Sequence, residues 1–130
     1  MTALSDYAEN ALLNHLLRRV TFTSPSTWIS LHTGSLLDDG TGAEVSGGGY
    51  ARIQVASGNW DAAAAGATEN ANDIDFGTAG ANWGNILFVG VWDASTTGNL
   101  LLRGELTASK TVNNGDGFKI TASNLDISLT

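Results

Sequence analysis

The sequence predicts a mainly β fold: an N-terminal α-helix followed by an antiparallel β-sandwich, jelly-roll-like, of seven to eight strands. Three observations carry this. Apolar residues recur at helical spacing only near the N-terminus, the apolar period falls to two after Pro25, and turn residues then interrupt the chain at short intervals. At 130 residues the chain suits a single domain, with the helix over 1–22 and the sandwich over 26–130. A chain of this size removes roughly two-thirds of its unfolded surface from water, enough for a core without staples.

The helix comes first. Asp6 is a candidate N-cap, and Glu9 stands three residues on, where a capping-box carboxylate belongs. Ala8, Leu12, Leu16 and Val20, with Leu13 and Leu17, form an apolar stripe, and Asn10, Asn14 and Arg18 lie opposite. Arg18 and Arg19 complement the dipole at the last turn. Phe22 to Pro25 end the helix, because the residue before a proline avoids helical angles. The stripe is expected to pack on the body of its own domain. Docking onto a neighbouring chain is the alternative.

Strands follow. Thr27 to Thr33 is rich in β-branched and aromatic residues. Residues 34–49 form a glycine-punctuated loop ending in Gly47-Gly48-Gly49, and Tyr50 to Val55 alternates Ile53 and Val55 with Arg52 and Gln54. The alanine-rich stretch from Asn59 to Asn70 lacks a stripe and a cap, so it is assigned to loop or ragged strand. Asn72 to Phe76 sets Ile74 and Phe76 against Asp73 and Asp75, one dry face and one wet. Ile86 to Trp92 is apolar on both faces and predicts a central, doubly covered strand. Asp93 to Asn99 has hairpin-turn chemistry and leads into Leu100 to Leu106. A second turn at 113–117 precedes alternating segments at Phe118–Thr121 and Leu125–Leu129.

Composition limits function. The formal net charge is −7 with two lysines and four arginines, which disfavours nucleic acid and anionic membrane as partners. Charged residues make up 15% of the chain, against roughly 25% in ordinary globular proteins, so the surface is built from Asn, Ser, Thr, Gly and Ala. With no cysteine there is no disulfide and no thiolate chemistry. The N-terminus lacks a basic start and a continuous apolar run, which predicts synthesis and assembly in the cytoplasm.

No catalytic, cofactor or metal site is predicted. His15 reads as a boundary residue of the helix, and His32 as packing on a sheet face with Trp28 and Ser30. A Ser–His pair two residues apart on one strand face lacks the third, orienting group of a nucleophilic centre. Asp73 and Asp75 lie roughly 7 Å apart along a strand, but the wet side of an amphipathic strand gives the same pattern. Asp38-Asp39-Gly40 with Glu44 does not follow the ligand order of a calcium loop. Gly47-Gly48-Gly49 precedes a strand, so it is no phosphate cradle.

Interfaces remain. The candidate contact residues are Leu12, Leu13, Leu16 and Leu17 on the helix, Asp38, Asp39 and Tyr50 in or beside the long loop, and Trp60 and Trp83 in Gly/Ala/Asn-rich segments. For these two tryptophans a partner chain, a lid on the core or a stacked sugar are the open readings.

The order of several segments resembles the small virion proteins of tailed bacteriophages usually labelled phage tail fibre proteins. The segments are Leu4-Ser5-Asp6-Tyr7-Ala8-Glu9-Asn10-Ala11-Leu12-Leu13-Asn14-His15, Thr23-Ser24-Pro25, Trp28-Ile29-Ser30-Leu31-His32-Thr33 and Glu44-Val45-Ser46-Gly47-Gly48-Gly49-Tyr50-Ala51-Arg52. They continue with Trp83-Gly84, Gly90-Val91-Trp92-Asp93-Ala94, Gly98-Asn99-Leu100-Leu101, Leu106-Thr107-Ala108-Ser109-Lys110-Thr111-Val112 and Gly115-Asp116. The resemblance implies a non-enzymatic virion part built from many copies, trimeric like many such proteins, in contact with other virion proteins. It implies no catalytic residue and no cofactor. A capsid decoration protein is the structural alternative, and a carbohydrate-binding module for host glycans the alternative of another class.

Overall fold

The computed structural model describes residues 2–129 and places the helix and strands in one chain order. That order is β1 (Thr2–Leu4), α1 (Asp6–Arg18), β2 (Thr27–His32), β3 (Ile53–Val55), β4 (Ala67–Glu69), β5 (Ile74–Thr78), β6 (Gly84–Trp92), β7 (Leu100–Val112), β8 (Gly117–Ile120) and β9 (Asp126–Ser128). The main sheet has the order β1-β7-β6-β2-β3, and two ribbons, β4-β9 and β5-β8, complete the architecture. All pairings are antiparallel. The fold is mainly β with one helix near the N-terminus, as the change of period predicts. The described residues form nine strands where seven to eight are expected, and β1 precedes the helix expected to start the chain.

Strand β6 occupies the middle of the sheet because both its faces are apolar. Val89 and Val91, with Ile29 and Leu31 of β2, pack into one core with Ile74 and Phe76 of β5, Phe118 and Ile120 of β8 and Ile127 of β9. Complete burial of residues such as Ile29, Leu31 and Ile86 is worth about 2 kcal/mol each. The alternate residues make a second, smaller cluster: Leu36, Trp92 and Leu100, with Trp28 and Phe88 against them. Leu36 belongs to the long loop, so that loop covers the sheet rather than hanging from it.

Gly90 shows how closely the layers approach. It pairs with Ser30, and a Cβ there would lie 2.7 Å from Ser30 Oγ and 2.8 Å from both Leu36 and Trp92 atoms. The triple glycine has a different reason. Gly47, Gly48 and Gly49 all take positive φ, and the Gly48 carbonyl accepts from the Gly80 amide and the Trp83 indole.

Several boundaries differ from expectation. Ser5, not Asp6, is the N-cap, its hydroxyl accepting from the Ala8 amide at 3.1 Å. The helix stops at Arg18, where Arg19 takes a left-handed conformation (φ 59°), so residues 19–22 are not helical. β3 begins only at Ile53. β7 runs for 13 residues without the break expected after Leu106, because a register shift between Ile86 and Phe88 lets β6 keep pairing along its polar second half.

Candidate interaction surface

The helix stripe is where the structure departs furthest from the expected packing. Only Ala8 of α1 is buried, with Ala11 and Leu12 half-buried, because the helix rests on β7 through its first turns. Leu13, Leu16, Leu17 and Val20 are 55%, 72%, 77% and 50% exposed. Leu13, Leu16 and Leu17, spaced three and four apart within α1, share one face, and Val20 lies just beyond the end of the helix. The expectation that this stripe packs on its own domain is corrected: the domain covers the Ala8 and Leu12 side, and the adjoining leucines point to solvent. A contiguous apolar patch of this kind marks an interaction site more often than an isolated exposed leucine does.

Across the chain the cations are unevenly assigned. Arg52 pairs with Glu44, Arg103 with Asp38, and Lys119 with Asp73. Lys110 lies over the Phe118 ring and donates to the Gly117 carbonyl. Arg18 and Arg19, exposed at the end of the leucine face, join no ion pair among the described residues.

At the other end of α1 the long loop is tied down. The Asp6 amide donates to the Asp38 carbonyl, and the Asp38 carboxylate receives Arg103, which also donates to the Leu36 carbonyl. Asp39 accepts from the hydroxyl and amide of Thr41, and those bonds hold its carboxyl below the usual range. Asp6, Tyr7, Asp38, Asp39 and Thr41 line a cleft of about 400 Å³, and Leu37 beside it is 53% exposed.

A polar network fixes the rest of the loop. Arg52, set by alternation on the strand face opposite Ile53 and Val55, is 8% exposed. Its guanidinium grips Glu44 through two bonds of 2.8 Å, donates to the Ala94 and Thr97 carbonyls, and stacks 4.0 Å over Trp92. Tyr50 donates to Glu44 at 2.9 Å and accepts from the Leu31 amide at 3.0 Å. Burial opposes ionisation of Glu44, but the bonds from Arg52 and Tyr50 prevail and keep its carboxyl below the usual range. Burial, with the Glu44 carboxylate beside it, raises the Tyr50 phenol. Tyr50 is thus a half-buried internal strut whose ring packs on Phe76 and Trp83.

His32 packs on the sheet face as expected, and of the readings left open for Trp83 the structure shows the lid on the core. Ser30 and His32 do touch, Oγ to Nε2 at 2.7 Å, with the Trp92 indole donating to the same hydroxyl. All three are buried, so no substrate reaches the serine. Desolvation lowers the His32 pKa to about 4, against the pull of Glu44 and with the push of Arg52. Trp83 is 5% exposed and donates to Gly48, a lid on the core rather than a contact surface. Trp60 is half-buried, its indole donating to Thr27 Oγ1 at 3.0 Å. Asp75 accepts from the Gly77 amide in a local turn, and Asp73 accepts from the distant Ala122 amide.

Sequence reasoning missed the Glu44–Arg52 pair. Opposite charges flanking a triple glycine were the available signal. No three His, Asp or Glu side chains among the described residues converge to hold a metal, and no helix of the described chain is long and apolar enough to cross a membrane. A family model described as Podophage GP4 fiber I protein gp80 matches residues 3–128. No curated protein matches the chain.

Proposed function

Because the chain belongs to the family described as Podophage GP4 fiber I protein gp80, a phage fibre family, we propose that it is a structural, non-enzymatic module of the virion, held there by protein–protein contacts. The observation that carries this is the row Leu13, Leu16 and Leu17, more than half exposed on a helix whose other side is seated on the sheet, with Val20 half exposed just past its end. Such a face loses apolar surface to water until a neighbour covers it, at about 25 cal/mol per Å². The neighbours proposed are further copies of the chain, in a trimer, together with other virion proteins.

The non-enzymatic part of the reading is supported by what the polar residues do. Ser30 and His32 are sealed beneath Leu36 and Trp92, Glu44 is engaged by Arg52, and Asp38 by Arg103. The glycan reading loses Trp83, which is buried.

Gold labelling of an affinity tag on the chain, imaged on intact particles, tests the proposal. Label confined to the tail is expected. Label spread over the head would replace the fibre reading with capsid decoration, and particles without label would refute a virion component.

A further inference from the structure

The helix face and the cleft at the opposite end of α1 are complementary, and we infer that the occupant of the face is a second copy of this chain, which receives Arg18 and Arg19 in the cleft beside Asp6 and Asp39. The inference rests on the virion-module reading and names the partner of the same surface.

Charge placement carries it. Six cationic side chains serve a chain of net charge −7, and four of them are engaged internally by Glu44, Asp38, Asp73 or the Phe118 ring. The remaining two, Arg18 and Arg19, stand together where the exposed leucines end. At the start of the same helix, Asp6, Glu9 and Asp39 are exposed and join no ion pair among the described residues. Beside them lie the two other large apolar side chains exposed in this region, Tyr7 at 42% and Leu37 at 53%. One end of the helix therefore presents apolar surface with positive charge, and the other apolar surface with negative charge.

Within one molecule the two ends cannot meet, because a 13-residue helix holds them about 20 Å apart. Between molecules they can. A guanidinium entering the cleft would find carboxylates to receive its fork and the Tyr7 ring to lie against, while the leucine face meets Leu37 and Tyr7. Arginine and aromatic residues at a rim around apolar contacts are the composition that interfaces favour. A partner of another kind would have to be acidic beside an apolar patch. This chain already carries that combination.

Sedimentation of the full chain at high micromolar concentration, in about 0.05 M and about 0.5 M NaCl, tests the assignment. The wild type is expected to associate, and more weakly at the higher salt. Arg18→Glu with Arg19→Glu should weaken association by at least about tenfold, as should Asp6→Lys with Asp39→Lys. An equimolar mixture of the two reversed chains should recover it. Should a reversal prevent folding, as read by circular dichroism, Arg18→Gln with Arg19→Gln provides a milder form of the same test. A monomeric wild type, reversed chains that associate like the wild type, or a mixture of folded variants that stays monomeric would each overturn the inference. Asp61, Glu69 and Asp126 line a second cleft, beside the β4-β9 ribbon, and loss of association on Asp61→Lys with Asp126→Lys, while Asp6→Lys with Asp39→Lys has no effect, would overturn it too. A monomeric wild type that still labels the particle would leave the virion reading intact, since another virion protein would then cover the helix.

Discussion

Replacing Arg52 with alanine should be among the most damaging changes available outside the apolar core. The side chain is 8% exposed and forms two bonds of 2.8 Å to Glu44, bonds of 3.0 and 2.9 Å to the Ala94 and Thr97 carbonyls, and a stack at 4.0 Å on Trp92. Removing one partner of a buried ion pair costs about 3–5 kcal/mol, because the other charge is left uncompensated. Glu44 keeps 28% of its side chain in contact with water, which places the expected loss at the lower end, about 3 kcal/mol. For a chain of this length that corresponds to a fall in Tm of about 10 °C. Urea unfolding followed by tryptophan fluorescence measures the loss directly. A double-mutant cycle with Glu44→Gln should then return a coupling of about 2 kcal/mol. Arg52→Lys should recover only part, since an ammonium cannot reproduce the fork or the stack. A loss under about 1 kcal/mol for Arg52→Ala, or singles that simply add, would refute the network as the element holding the loop.

Acid should loosen the same region through His32. The unfolded imidazole titrates near 6.5 and the buried one at about 4, so between those values the unfolded chain binds the extra proton. Stability is therefore full well above pH 6.5 and falls as pH drops toward 4, by up to about 3 kcal/mol, with Glu44 adding a loss in the same direction below the ordinary carboxylate range. Urea midpoints measured from pH 7 to 4 should show this slope in the wild type and a flatter one in His32→Gln. Gly90→Ala forces a Cβ to within 2.8 Å of three neighbours and should cost about 2–3 kcal/mol by chemical denaturation. Ser5→Ala removes both the cap on the Ala8 amide and a buried bond to the Leu100 carbonyl. A loss of about 1–2 kcal/mol is expected, with reduced helical signal by circular dichroism.

Where one face of a strand is wet and the other dry, alternation alone is informative, and Ile74 and Phe76 against Asp73 and Asp75 came out as their pattern required. The central position of β6 followed from its two apolar faces in the same way. Arg52 was not legible, because a charged residue at an alternate position is indistinguishable from a solvated one until its partner arrives across a loop. The pairing with Glu44 depends on three successive positive-φ glycines turning the chain back, a geometry that spacing does not encode. Trp83 stayed open between lid and interface for a related reason. Its neighbours are small and polar, yet the Gly48 carbonyl waits for its indole and the core closes beneath it. In the helix, periodicity identified the apolar side correctly but not the arc the sheet would use. The small residue at position 8 lets the helix approach β7 closely, and that choice of contact turns Leu13, Leu16 and Leu17 outward.

The shortage of charge connects these points. A sheet covered by a loop needs its few cations inside, as clamps: Arg52 fastens the second half of the loop to the 94–97 turn, and Arg103 fastens Leu36 and Asp38 of the loop to β7. Both clamps consume a carboxylate, Glu44 and Asp38, so the loop presents a fixed surface with Asp39 at its edge and little freedom left to lose on association. Had the loop been mobile, ordering it would have cost the assembly about 1–2 kcal/mol for each residue fixed. The internal network thus bears on the interface without touching it. Arg52→Ala should weaken any contact made through the Asp39 cleft even though Arg52 lies outside that cleft, whereas Leu16→Ser should weaken the contact and leave the stability of the isolated chain within about 0.5 kcal/mol of the wild type.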